Sequence, residues 1–117
     1  MEDWVRPVVA FEVRGSGERL RDFYSQMFNW DIKVGASGIG QAQAGIGGPE
    51  PGPVSVFLQS DSPGVTLYVQ VMDLRASMEK ATALGGSVIN EPFDVPNGPT
   101  IARIADPDGT HIGLMQQ

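Results

Sequence analysis

The sequence predicts an α+β fold: two βαβββ modules forming a curved, cup-shaped mixed sheet with the helices on its convex side. Three observations predict it. Strand-like and helix-like segments follow one another as strand, helix, three strands, and then do so again. Equivalent places recur at a fixed offset, Ala10 and Tyr68 lying about 58 residues apart, as in a duplicated unit. The first strands share a pattern, "AFEV" and "YVQV", and each module's last strand is announced by a Pro/Gly turn carrying an acid, "PEPG" and "PDG". A chain of 117 residues is one domain of ordinary size. Module one is expected over about residues 5–60 and module two over about 64–117.

The elements follow in order. "PVVAFEV" (7–13) is a β-branched run and reads as the first strand. "RGSG" ends it, and Ser16 is a candidate helix N-cap. In "ERLRDFYSQMFNW" (18–30), Leu20, Phe23, Tyr24, Met27 and Phe28 fall at helical spacing, with Glu18, Arg19, Arg21 and Asp22 opposite. This apolar stripe is expected to pack into the core. "WDIKV" (30–34) reads as a short strand. The Gly- and Ala-rich stretch from 35 to 53 has room for one weak strand near residues 40–46, then a mobile loop. It lacks the "GK[ST]" and helix start of a phosphate cradle. "VSVFLQ" (54–59) is a strand and "SDSPG" (60–64) a linker.

The second round begins with "VTLYVQV" (65–71). Asp73 is a good N-cap for "LRASMEKATAL", with Leu74, Met78, Ala81 and Leu84 on one face and Gly85 and Gly86 as its stop. "SVINEPF" (87–93), "TIARIA" (100–105) and "HIGLMQ" (111–116) are the remaining strands. The last two are joined by "DPDG", which fits a type I turn with Pro at i+1 and Gly at i+3. Asp106 and Asp108 therefore read as turn residues that bond the backbone, not as a catalytic dyad. Trp4 and Trp30 are expected to anchor strands or to join a subunit interface.

Composition removes several function classes. A net charge of −6 argues against a nucleic-acid face and against docking on anionic lipid. The absence of cysteine excludes disulfides, thiol nucleophiles and thiolate metal sites. "MEDWVRP" lacks the basic and apolar regions of a signal peptide, and no apolar run approaches the ~20 residues that span a bilayer. A cytoplasmic protein is expected.

The segments "VVAFEV", "LRDFYSQMFNWDI", "VQVMDLRASMEKATALGGSVINEP" and "IARIADPDGTHIGLMQ" together resemble the vicinal oxygen chelate superfamily. That group includes glyoxalase I, extradiol dioxygenases, epimerases, fosfomycin-modifying enzymes and bleomycin-binding resistance proteins. The resemblance covers most of the chain and is weakest at 35–53. It implies the cup-shaped fold, and it leaves activity open because the fold hosts many chemistries. Metal-dependent members take His, Gln or Glu ligands from the first and last strands of each module. The matching positions here are Ala10, Ser55 or Val56, Tyr68 and Gly113. Oxygen and imidazole donors suit such an ion. Ala, Val and Gly carry none, and tyrosine is a poor ligand with a reference pKa near ~10. No metal and no other cofactor is therefore expected. The missing side chain of Gly113 is expected to leave open space in the cup.

The residues expected to line that cup are Ala10, Glu12, Phe57, Tyr68, Gln70, His111, Gly113 and Met115. Strand alternation places His111 with Gly113 and Met115. As the one histidine, it reads either as a ligand contact or general base, or as an exposed residue after a turn. Glu12 and Gln70 hold equivalent places. Glu12 reads either as a carboxylate base in a partly apolar cavity or as a partner of Gln70 or an arginine at the module junction. Phe57, Tyr68 and Met115 read either as apolar cup wall or as plain core. No set of residues here makes a catalytic constellation, and the catalytic residues are unknown.

Three functions follow from these expectations. The first is a metal-independent binder of a drug- or metabolite-like molecule, in the manner of bleomycin-binding relatives, for which the acidic balance would suit a cationic ligand. The second is a lyase or dioxygenase-type enzyme with a non-standard site such as Glu12 and His111. The third is a ligand-free structural or regulatory domain. A homodimer is expected, since single-domain relatives commonly pair and open sheets leave strand edges that need cover. No nucleic-acid or membrane partner is expected.

Overall fold

The computed structural model describes residues 5–36, 38–42 and 52–116. Trp4 and most of the Gly-rich stretch, including residues 43–46 of the expected weak strand and the loop after it, lie outside the described residues. Two rounds of strand, helix and three strands are found, as the sequence predicts. The first is β1 (Val8–Gly15), α1 (Glu18–Phe28), β2 (Lys33–Val34), β3 (Gly40–Ala42) and β4 (Val54–Gln59). The second is β5 (Gly64–Val71), α2 (Leu74–Ala83), β6 (Ser87–Asp94), β7 (Thr100–Ala105) and β8 (His111–Gln116). The class is α+β with mixed strand pairing.

The chain divides into two compact units. The first is Val9–Thr66; the second is built on Leu67–Gln117 with the start of the chain, so the division falls within β5. In the first unit the strands run β2-β3-β4-β1, and β1 and β4 are parallel. In the second they run β5-β8-β7-β6, and β5 and β8 are parallel. Each parallel pair is the crossover product of its own helix and following strands.

In the second unit, Val71, Leu74, Met78, Ala102 and Leu114 form the buried core between α2 and the sheet. Alternation explains the set: Ala102 and Leu114 are paired residues on one face of β7 and β8. Asp73 caps α2 as expected, accepting from the Ala76 amide at 3.0 Å. Leu84, expected on the packed face, is instead 69 % exposed, because the helix has ended at Ala83.

The first unit corrects two expectations. Ser16 is not the cap of α1. Gly17 holds that place at φ 56°, with no side-chain cap, a backbone conformation open to glycine. The stripe on α1 is also not core. No residue of α1 is buried, and Phe23, Met27 and Phe28 are each at least half exposed. The sheet beneath is narrow, β2 and β3 having two and three residues. Leu20, Arg21 and Tyr24 are the helix residues that meet it, at Gly15, Gly40 and Phe57. Trp30 is an anchor as expected, stacked on Tyr24 with ring centroids 5.6 Å apart and packed against Phe57 and Phe11.

The turn before β8 also behaves as expected. Gly109 donates its amide to the Asp106 carbonyl, and the Asp106 carboxylate accepts from the Asp108 and Thr110 amides.

Candidate functional site

Each unit has an inner face, the side of its sheet turned away from its helix. In the first unit, β1 sends Phe11, Val13 and Gly15 toward α1 and leaves Ala10, Glu12 and Arg14 on the inner face. Val54, Val56 and Leu58 of β4 lie beside them in register. Glu12 is 4 % exposed. Arg14, two residues on and so on the same face, donates Nη1 to Glu12 Oε2 at 2.8 Å and to Thr66 Oγ1 at 2.7 Å. A buried carboxylate needs such a partner, since removing it from water without one is costly. Of the two readings of Glu12, this geometry matches a carboxylate paired with an arginine.

In the second unit, Tyr68 and Gln70 of β5 stand opposite Gly113 and Met115 of β8. Antiparallel β7 adds Ile101 beside Met115, Arg103 beside Gly113 and Ala105 beside His111. Five of the eight expected residues thus share one sheet face. Gly113 does not border open space, contrary to expectation. The ring of Tyr68 covers it, and a Cβ at 113 would fall 2.8 Å from Tyr68 Cγ and nearer still to Cδ2 and Cε2. A strand glycine often marks such a close approach. The phenol oxygen accepts from Arg103 Nε at 3.3 Å and Nη2 at 3.1 Å. His111 is exposed and follows directly on the turn.

Phe57 stands apart. It is on the helix side of β4, 1 % exposed, with its ring 5.4 Å from that of Tyr24. Ser55 faces the same way and donates to the Ala42 carbonyl. Register also corrects the module-one counterpart of Gly113. Val54, not Ser55 or Val56, lies opposite Ala10 as Gly113 lies opposite Tyr68.

Arg14, Thr66 and Arg103 escaped the sequence reading. Two signals were present: opposite charges at i and i+2 in "FEVR", and one arginine inside the apolar strand "TIARIA". Neither Ala10 and Val54 of the first unit nor Tyr68 and Gly113 of the second fit a divalent ion. They supply one phenol oxygen, already accepting from a guanidinium. Among the described residues, no group of three or more His, Cys, Asp or Glu side chains is gathered for a metal. Two open hollows, of about 180 and 510 Å³, lie beside α2 in the second unit, and neither is lined by a residue of the expected set.

Fold and faces together define a protein of the vicinal oxygen chelate kind. The profile of the glyoxalase-like domain matches residues 9–115. A glyoxylase-like domain-containing protein of Didymella fabae is 30 % identical over 103 residues, covering 80 % of each chain. The chain belongs to the glyoxalase-like domain family. Similar solved structures include a hypothetical protein from Bacillus halodurans C-125, at 12 % identity and TM-score 0.69, covering 97 % of this chain and 96 % of that one. The methylmalonyl-CoA epimerase of Streptomyces coelicolor is similar at 15 % identity and TM-score 0.68, with the same coverage. The Mycobacterium tuberculosis epimerase is similar at 15 % identity and TM-score 0.65, covering 93 % and 86 %. At these identities the likeness is one of fold.

Proposed function

We propose that this glyoxalase-like protein is a metal-independent binder of small drug- or metabolite-like molecules, acting in the cytoplasm as a homodimer. The observation that carries the reading is the content of the four family chelating positions: Ala10, Val54, Tyr68 and Gly113, with Tyr68 lying over Gly113. Each unit's inner face otherwise offers apolar surface beside polar groups: Val54, Val56 and Leu58 with Glu12 and Arg14 in the first unit, and Ile101 and Met115 with Gln70 and Arg103 in the second. Mixed surfaces of that kind suit organic ligands with one or two polar handles. The net charge of −6 favours a cationic ligand by long-range attraction.

The test is a melting-temperature screen of wild-type protein against cationic aromatic compounds, with and without EDTA. A bound compound at a hundredfold its Kd stabilises by about 2.7 kcal/mol. The expected result is a shift that EDTA leaves unchanged. A shift that needs a divalent ion, or none with any compound, overturns the reading. Light scattering should give twice the monomer mass.

A further inference from the structure

We infer that Tyr68 and Gly113 form an interlocked pair that bars a divalent ion from the second unit's inner face, so that restoring an acid at 113 cannot by itself restore a chelate. Deletion of a ligand and obstruction of its place are different states of a site. A chain that has only lost a carboxylate at 113 would regain one by a single substitution. This chain would not, because the volume into which any side chain at 113 projects is held by the Tyr68 ring. The obstructing atoms include Tyr68 Cγ, the ring atom bonded to Cβ, so the ring cannot clear the space by moving its far end alone. Both residues are buried. They are register partners on adjacent parallel strands, so the strands cannot part locally without breaking the β5–β8 ladder. Arg103, the partner of Gly113 on the other side, holds the phenol oxygen through two N–H groups and adds a fixed positive charge beside it. A cation arriving here meets a ring and a guanidinium where the family pattern places donors.

The inference concerns the site of the proposed function, yet the two fail separately. The screen above uses wild type without added metal, and the experiment here uses no organic ligand. Melting temperatures are measured for Gly113→Ala, Tyr68→Ala, Tyr68→Phe and the corresponding double variants. Gly113→Ala is expected to lower the melting temperature by about 5–15 °C, as overpacking does. The loss should persist in the Tyr68→Phe background, where the ring remains, and vanish in the Tyr68→Ala background. Ni²⁺ is then titrated against Gly113→Glu and Tyr68→His/Gly113→Glu. The double variant, with two donors side by side on neighbouring strands, is expected to show a Ni²⁺-dependent rise in melting temperature that the single variant lacks. Should Gly113→Ala fail to fold while Tyr68→Ala/Gly113→Ala folds, the interlock is likewise supported. An equal loss in wild-type and Tyr68→Ala backgrounds overturns it, as does Ni²⁺ binding by Gly113→Glu alone at the strength of the double variant.

Discussion

Arg14 and Glu12 form a 2.8 Å ion pair between residues two apart on one strand, with the carboxylate side chain only 6 % exposed. The short spacing is what makes the pair sturdy. Both side chains leave the same face of β1, so the strand itself brings them together. Thr66 then takes a second bond from the same guanidinium nitrogen.

The pair predicts an asymmetry. Arg14→Met leaves a buried carboxylate short of a charged donor and should cost about 1–3 kcal/mol. Glu12→Gln/Arg14→Met removes the charge as well and should be more stable than Arg14→Met alone. Urea denaturation of the three proteins measures this. An Arg14→Met variant as stable as wild type would show that the pair contributes nothing.

The succession of strands along the chain and α2 were legible because their signals are local. "PVVAFEV" and "VTLYVQV" are β-branched runs, and Asp73 caps the helix that follows it. What failed was any inference about the space around a residue. The periodicity of α1 correctly gives a helix, but periodicity cannot say how wide a sheet lies beneath, and β2 with β3 is too small to bury Phe23 and Met27. Gly113 was legible as a missing side chain. A sequence shows that an atom is absent and not what fills its place, and the filler is a ring 45 positions earlier in the chain. Arg103 was missed for a similar reason, since its partner is fixed by the register of three strands.

Phe57 and Phe23 should respond very unequally to truncation, though sequence reading placed Phe23 in the core. Phe57 is 1 % exposed and touches Tyr24 and Trp30, so Phe57→Ala should cost about 3–5 kcal/mol. Phe23 is 59 % exposed, and Phe23→Ser should stay within about 1 kcal/mol of wild type. Thermal or chemical unfolding of both variants decides the matter. A large loss for Phe23→Ser would mean that its face is covered in the folded protein, as a homodimer through α1 would require.

The N-terminus of α2 is held by two side chains from distant parts of the chain. Asp73 accepts from the Ala76 amide at 3.0 Å, and Gln116 Oε1 accepts from the Leu74 amide at 2.6 Å. The first turn of a helix has amides with no partner inside the helix, and these bonds satisfy two of them. Because each side chain serves a different amide, the two substitutions should act on different sites. Asp73→Ala should cost about 0.5–2 kcal/mol, the usual value of a lost N-cap. Gln116→Ala should cost about 1 kcal/mol, the net value of one hydrogen bond. Amide hydrogen exchange resolves them by residue. Asp73→Ala should speed exchange most at Ala76, and Gln116→Ala should speed it most at Leu74. Gln116 also ties β8 to α2, so its loss should loosen the attachment of the helix to the sheet, whereas Asp73→Asn should restore most of what Asp73→Ala removes. If Gln116→Ala left the Leu74 amide as protected as in wild type, the bond from β8 would not be what holds that end of the helix.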